Sequence, residues 1–173
     1  MIQLDDAVAR QTGSKNWSFV CLQEQGISNA TAVEPHVLIS STSVWGAALL
    51  IHSHLSCYIR IQHIDTDWVA AIMQFDDSSA PICIISAHLP HEGHGCDADD
   101  SCTAGINRFI AKAKPLWKGL RVFLGVDANV ELPVFGDYSY NMVGELGTGA
   151  YTDRSHVIMD LLNTHSLTAA NTF

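Results

Sequence analysis

The sequence predicts an α/β or α+β chain, a mixed sheet or a pair of sheets covered by helices. Two observations carry that expectation. The runs "HVLIS", "GAALLIHSHL", "CYIRIQHI", "WVAAIMQF" and "PICIISAHL" are rich in Val and Ile and are separated by turn formers such as Asp76-Asp77 and "SSAP" at Ser78, so they read as successive strands. Beyond "HLPHEGHGCDADDSC", His88 to Cys102, the apolar period changes to that of a helix, and strands then alternate with helices. Strands in hairpin order followed by interleaved strands and helices fit sheets with helices packed on them.

The elements follow in order. "DDAVARQTGSKNWSFVCLQEQG" has a short helix-like start, a Gly-Ser break at Gly13, and then the apolar run "WSFVCL", which stops at Gln23 and Glu24 and reads as a buried strand with polar residues at its carboxyl end. The five Val- and Ile-rich strands come next. In "TAGINRFIAKAKPLW", Ile106, Phe109, Ile110 and Ala113 share one helical face, Thr103 is placed to cap the start, and Pro115 is placed to end it. "RVFLGV" is another buried strand and ends in "DAN"; after a loop rich in Gly and Tyr, "SHVIMDLLNTH" reads as a second helix with Val157, Ile158, Leu161 and Leu162 inward. "LTAANTF" reads as the entry into one more strand.

Composition bounds the function. With 173 residues, 47% of them hydrophobic, the chain is expected to fold as one domain over 1–173. The balance of 18 acidic to 9 basic residues argues against gripping nucleic acid by charge alone, although an acidic protein can cut a polyanion when a divalent cation mediates. Arg108, Lys112, Lys114, Lys118 and Arg121 gather on or just after the first long helix, where a solvated face is the better reading than a phosphate-facing patch. The five cysteines are an odd number, three of them inside apolar runs where they read as small buried hydrophobes, so a disulfide framework is not expected. "MIQLDDAVAR" has no signal-peptide character and no run is long enough to span a membrane, so a soluble, intracellular chain with no membrane partner is expected.

Three apolar strands end in polar groups: "FVCLQE" in Glu24, "CIISAHLPH" in His88, and "VFLGVDAN" in Asp127 and Asn129. When buried strands deliver carboxylate, imidazole and amide to their carboxyl ends, those ends can form one crevice. A hard cation takes one or two carboxylates there, with waters and substrate phosphate completing its shell.

"CLQE", "ISAHLP" and "FLGVDANV", in this order, resemble the endonuclease/exonuclease/phosphatase family, the fold of deoxyribonuclease I and the abasic-site endonucleases. "GELGTGAYTDRSHVIMDLLNTHSLTAANTF" is similar to the stretch that follows the Asp-x-Asn motif in endonuclease domains of non-LTR retrotransposons. The similarity runs from about Phe19 onward as ordered motifs. It implies a DNase I-like β-sandwich flanked by helices, nucleic acid as substrate, and Mg²⁺ or Mn²⁺ as cofactor. It also implies roles: Glu24 binds the metal with Gln23 supporting it, His88 stabilises or protonates the phosphate, Asp127 orients or deprotonates the attacking water and touches the metal, and Asn129 holds a phosphate oxygen. Together these describe metal-assisted in-line hydrolysis of a phosphodiester.

Two parts of the family pattern have no match here: the first strand with its Asn, for which only Asn16 is available in a turn-like setting, and the closing Asp-His pair. The expectation is an incomplete domain, lacking the first strand and the last strands, with exposed sheet edges. Loss of a positioned acid or base costs about 10²–10⁴-fold in rate, so weak or no activity is expected from this fragment. His91, His94 and His156 are the substitutes at hand. Three alternatives stand beside the nuclease: a phosphatase or sphingomyelinase-like phosphoesterase, a non-catalytic interaction domain, and a zinc module built on His88, His91, His94, Cys96 and Cys102, whose spacing is wider than usual zinc pairs.

Overall fold

The computed structural model describes residues 18–23, 36–43, 46–89, 96–130, 132 and 152–169, with 96–100 described for the backbone alone. Its elements are β1 (Phe19–Gln23), β2 (His36–Ser40), β3 (Ala47–His52), a 3₁₀ turn (Ser53–Tyr58), β4 (Ile59–Ile64), β5 (Trp68–Met73), β6 (Ile82–His88), α1 (Cys96–Leu116), β7 (Arg121–Asp127) and α2 (Asp153–His165). The helix-like start before Gly13, Asn16, the Gly- and Tyr-rich loop and the final "NTF" lie outside the described residues.

Every Val- and Ile-rich run contains a strand. They form two sheets: an antiparallel one of order β1-β3-β2, and one of order β4-β5-β6-β7 in which only the β6–β7 pair is parallel. A parallel pair needs a long crossover, and α1 lies in it. The run "WVAAIM" shows no alternation because every residue of β5 is buried, as in a strand covered on both faces.

Alternation sorts the side chains into layers. Val69, Ala71 and Met73 of β5 and Ile84 of β6 meet Ile39, Leu49 and Ile51 of the facing sheet. Trp68, Ala70 and Ile72, with Cys83, Ile85 and Ala87, point the other way onto Cys102, Ile106, Ile110 and Ala113 of α1 and Ile158, Leu161 and Leu162 of α2. The result is sheet on sheet with helices outside the four-stranded sheet. Ile84 is wholly buried between the sheets. Ile84→Ala is expected to lower the free energy of unfolding by about 2–5 kcal/mol, read as a lower denaturant midpoint at unchanged slope.

Several local expectations change. The first helix begins at Cys96, seven residues before Thr103, which is a buried residue inside it and no cap. The acidic run before Thr103 therefore lies in the first helical turns, where the dipole favours negative charge. Pro115 sits inside the last turn rather than ending the helix before it, and the bond from Trp117 N–H to the Ala113 carbonyl carries the pattern past the proline. Residues 53–55 and 57–58, read as the end of one strand and the start of the next, wind with Ser56 into the 3₁₀ turn, which leaves Cys57 exposed and not buried. Cys83 is buried as expected, its thiol pushed up to about 12 by desolvation, and Cys21, Cys57, Cys83 and Cys102 are all free thiols. The basic residues Arg108, Lys112, Lys114, Lys118 and Arg121 are solvent-exposed.

The second helix opens on a capping box: Ser155 N–H donates to Thr152 Oγ1 at 3.1 Å and Thr152 N–H to Ser155 Oγ at 2.8 Å. It closes where Ser166 turns left-handed. Its last histidine, His165, docks on α1 with Nε2 2.8 Å from Asn107 Oδ1. Burial, and secondarily the nearby Lys114 ammonium, hold the His165 imidazole below its ordinary 6.5. The unfolded chain then binds the extra proton first, so stability is full above about 6.5 and declines as pH falls below it. Urea midpoints at pH 7.5 and 5.5 are expected to fall less for His165→Gln than for wild type; equal falls would contradict this.

Candidate active site

The carboxyl ends of β1, β6 and β7 meet. His88 and Asp127 are register partners on the parallel pair, and alternation puts both, with Ser86 and Gly125, on the face that looks toward β1. The expected convergence of strand ends is what the chain folds into for Gln23, His88, Asp127 and Asn129. Glu24 follows Gln23 directly and lies outside the described residues, as do His91 and His94.

"DAN" explains how Asn129 reaches the site. Asp127 Oδ1 accepts the Asn129 N–H at 3.1 Å, an Asx-type turn. Asn129 itself takes φ 48°, a left-handed conformation that asparagine tolerates. The chain therefore doubles back, and Asn129 Nδ2 donates to the Leu89 carbonyl at 2.7 Å while standing 3.3 Å from His88 Nε2. A carbonyl only accepts, so the amide nitrogen must face it; an amide NH₂ only donates, so in this contact His88 Nε2 is the unprotonated acceptor. His88 is buried, 6% exposed, and its backbone N–H donates to the Asp67 carbonyl at 3.0 Å. The imidazole and the amide thus orient each other, and "DAN" is a turn that carries Asn129 to the strand ends.

β1 is fastened to the other two strands beside this cluster. Gln23 Nε2 donates to Ser86 Oγ at 3.2 Å and to the Gly125 carbonyl at 3.3 Å, and Ser86 Oγ donates to the Leu22 carbonyl at 3.1 Å. One residue pair upstream, Cys21 Sγ donates to the Ile85 carbonyl at 3.6 Å, and burial raises that thiol's pKa. Gly125 lies under Cys21 so closely that a Cβ there would stand 2.5 Å from Cys21 Cβ and 2.7 Å from its Sγ.

Ser86 and Gly125 are the participants that sequence reading passed over. The signal was present: a serine in "ICIISAH" and a glycine in "RVFLGVD", each at a strand interior that favours neither. Ser86→Val removes the acceptor of Gln23 and the donor to Leu22, leaving buried polar groups unmatched. A loss of about 1–3 kcal/mol in stability is expected, and an amide-exchange measurement should show faster exchange at the end of β1.

Two other assignments resolve. Cys102 is buried under the helices on the opposite face of the four-stranded sheet from His88, so the zinc module built on both is not formed. His156 lies on the exposed side of α2, 3.4 Å from Asp160. Among the described residues no three His, Cys, Asp or Glu side chains are gathered to hold a metal. Asp127 contributes one half-buried carboxylate at the strand ends, and a hard-cation site built on it needs a second oxygen ligand, which Glu24 is the residue in sequence to supply. No helix among the described residues is long and apolar enough to cross a membrane.

No protein-family model matches the chain, and no curated protein matches it. A solved structure does: the endonuclease domain of TRAS1, a telomere-specific non-LTR retrotransposon, aligns with TM-score 0.55 at 17% identity over 94% of this chain and 65% of that domain. The chain spans 65% of the neighbour's length. Two sheets packed face to face, with helices on the outside of one and polar residues at the ends of three strands, have the DNase I-like fold of that endonuclease domain.

Proposed function

We propose that this chain is a divalent-metal-dependent phosphodiester hydrolase of endonuclease type, a single domain acting on nucleic acid, with a low rate from these 173 residues alone. The observation that carries the proposal is the lock between β6 and β7, in which Asn129 bonds both His88 and the Leu89 carbonyl while Asp127, partner of His88, fixes the turn.

A carboxylate offers roughly four acceptor positions, and the Asx turn uses one of Asp127's. The remainder of that carboxylate orients or deprotonates the attacking water. Both Asn129 amide hydrogens are engaged as folded, so a phosphoryl oxygen is held when the 3.3 Å contact with His88 Nε2 opens and that N–H turns to the phosphate. Asp127 and Glu24 are the residues that would hold Mg²⁺ or Mn²⁺, with Gln23 fixing the strand end from which Glu24 departs. When bound, that cation offsets the charge that builds on the phosphoryl oxygens. A low rate follows because the closing Asp-His pair of the resembling family has no counterpart within these residues, and a missing general acid or base costs about 10²–10⁴-fold.

The test supplies Mg²⁺ or Mn²⁺ to the purified chain with supercoiled plasmid and with a generic phosphodiester, alongside Asp127→Ala and Glu24→Ala. Nicking is expected only from wild type and only until EDTA is added. Cleavage that survives both substitutions would sink the proposal, and a folded wild type that cleaves neither substrate would favour an interaction domain instead.

A further inference from the structure

Three imidazoles lie together at the other end of the three-stranded sheet. His36 opens β2, His52 closes β3, and the two are register partners with ring centroids 5.2 Å apart. The 3₁₀ turn then brings His54 back onto His52, with centroids 4.3 Å apart and the two Nδ1 atoms at 2.7 Å. Gln23 pairs with Ala47 at the opposite end of β3. Five residue steps of strand separate Ala47 from His52, about 17 Å at ~3.3–3.4 Å per residue, so this cluster is no part of the candidate active site.

A strand exit into a tight turn is served as well by Asn, Asp or Ser. What the pair does have is two ring nitrogens aimed at one small volume, one donating to the other. When the shared proton moves to the Nε2 of the donating ring, both Nδ1 lone pairs are free to take a cation. Zinc binds imidazole nitrogen at about 2.0–2.1 Å, and tetrahedral geometry at that length separates two nitrogens by about 3.3 Å. The pair must open by about 0.6 Å to reach that separation, a shift that the exposed His54 can make without disturbing the β2–β3 register.

A third donor stands near. Residues three apart eclipse on a 3₁₀ turn, which sets Cys57 on the same side as His54. Its Sγ already lies 3.7 Å from the His54 carbonyl, and the thiol is exposed. No three of these side chains are gathered around one point among the described residues. As folded, two ring nitrogens adjoin and the sulfur stands to one side.

We propose that His52 and His54 form a binding site for a borderline divalent cation, zinc first, with Cys57 as the adjoining sulfur donor. Imidazole and thiolate suit Zn²⁺, whereas carboxylate and water suit Mg²⁺, so the two ends of the molecule select different metals.

Tag-free protein is titrated with Zn²⁺ by calorimetry in buffer containing excess Mg²⁺. Wild type is expected to take up zinc with micromolar affinity at this site. His52→Gln and His54→Gln should each weaken it by at least the roughly 10-fold that loss of a ligand's supporting partner costs, while His156→Gln on α2 leaves it unchanged. Co²⁺ added in place of zinc should give a thiolate-to-metal absorption band that Cys57→Ser removes. Circular dichroism without metal checks that each variant is folded. Absence of zinc uptake by wild type at tens of micromolar, or uptake unchanged in a folded His52→Gln, His54→Gln double variant, would overturn the proposal.

Discussion

Gly125→Val is expected to be the most damaging single substitution in the β1–β7 contact. Its first new carbon would stand 2.5 Å from Cys21 Cβ and 2.7 Å from Sγ, closer than side chains approach. Neither neighbour can simply rotate away. Cys21 is held through its Sγ to the Ile85 carbonyl, and the Gly125 carbonyl receives Gln23. Overpacking of this kind costs about 1–3 kcal/mol and occasionally more, and loss of the Gln23 bonds adds to it. A drop in the thermal midpoint is expected together with loss of any cleavage, whereas Gly125→Ala should fall in between. Combining Gly125→Ala with Cys21→Ala, which removes the Sγ but not the Cβ, should restore part of the stability. No recovery in the double variant would place the strain on the Cys21 Cβ rather than its Sγ.

Asp127→Ala is expected to have the largest effect on chemistry, taking metal-dependent cleavage to background. Two functions disappear together: the carboxylate at the strand ends and the acceptor that bends the chain at Asn129. Asp127→Asn separates them, since an amide oxygen still accepts the Asn129 N–H but carries no charge. That variant should keep wild-type stability while losing activity by about 10²-fold or more, the scale of a lost catalytic base. Asn129→Asp makes the converse point. A carboxylate cannot donate to the Leu89 carbonyl, so the end of β6 should loosen and stability should fall. If Asp127→Asn unfolds the chain as badly as Asn129→Asp, Asp127 is a turn residue before it is anything else.

The strands were legible because their burial is written in composition. "WVAAIM" and "AALLIH" are buried almost throughout and carry nearly continuous apolar runs. The termini of α1 were not legible in the same way. Its first turns are acidic and lack the apolar period, so the helix showed only from Thr103 onward, where side chains begin to meet the sheet. The exposed Cys57 was misread because "CYIRIQHI" continues the apolar pattern into a turn whose 3₁₀ winding is decided by the path between two sheets.

The candidate site was half legible. Polar residues at the ends of apolar runs marked Gln23, His88, Asp127 and Asn129. The parallel register that sets His88 beside Asp127, and the left-handed turn that returns Asn129 to Leu89, are tertiary facts. Ser86 was hidden because a hydroxyl inside a strand gains its meaning only when Gln23 and the Leu22 carbonyl arrive from the other sheet. The His52–His54 pair was hidden in the same manner, since a run read as strand would point alternate residues along one face without folding one ring back on the other.

The expected turnover is low, so occupancy tests the central claim more directly than rate. Electron paramagnetic resonance of free Mn²⁺ counts how much metal a folded protein removes from solution. Wild type is predicted to bind one Mn²⁺ that Mg²⁺ displaces, and Asp127→Ala and Glu24→Ala are each predicted to lose it while His54→Gln retains it. Mn²⁺ binding that persists in the folded Asp127→Ala, Glu24→Ala double variant would contradict the assignment of the three strand ends as a divalent-metal site.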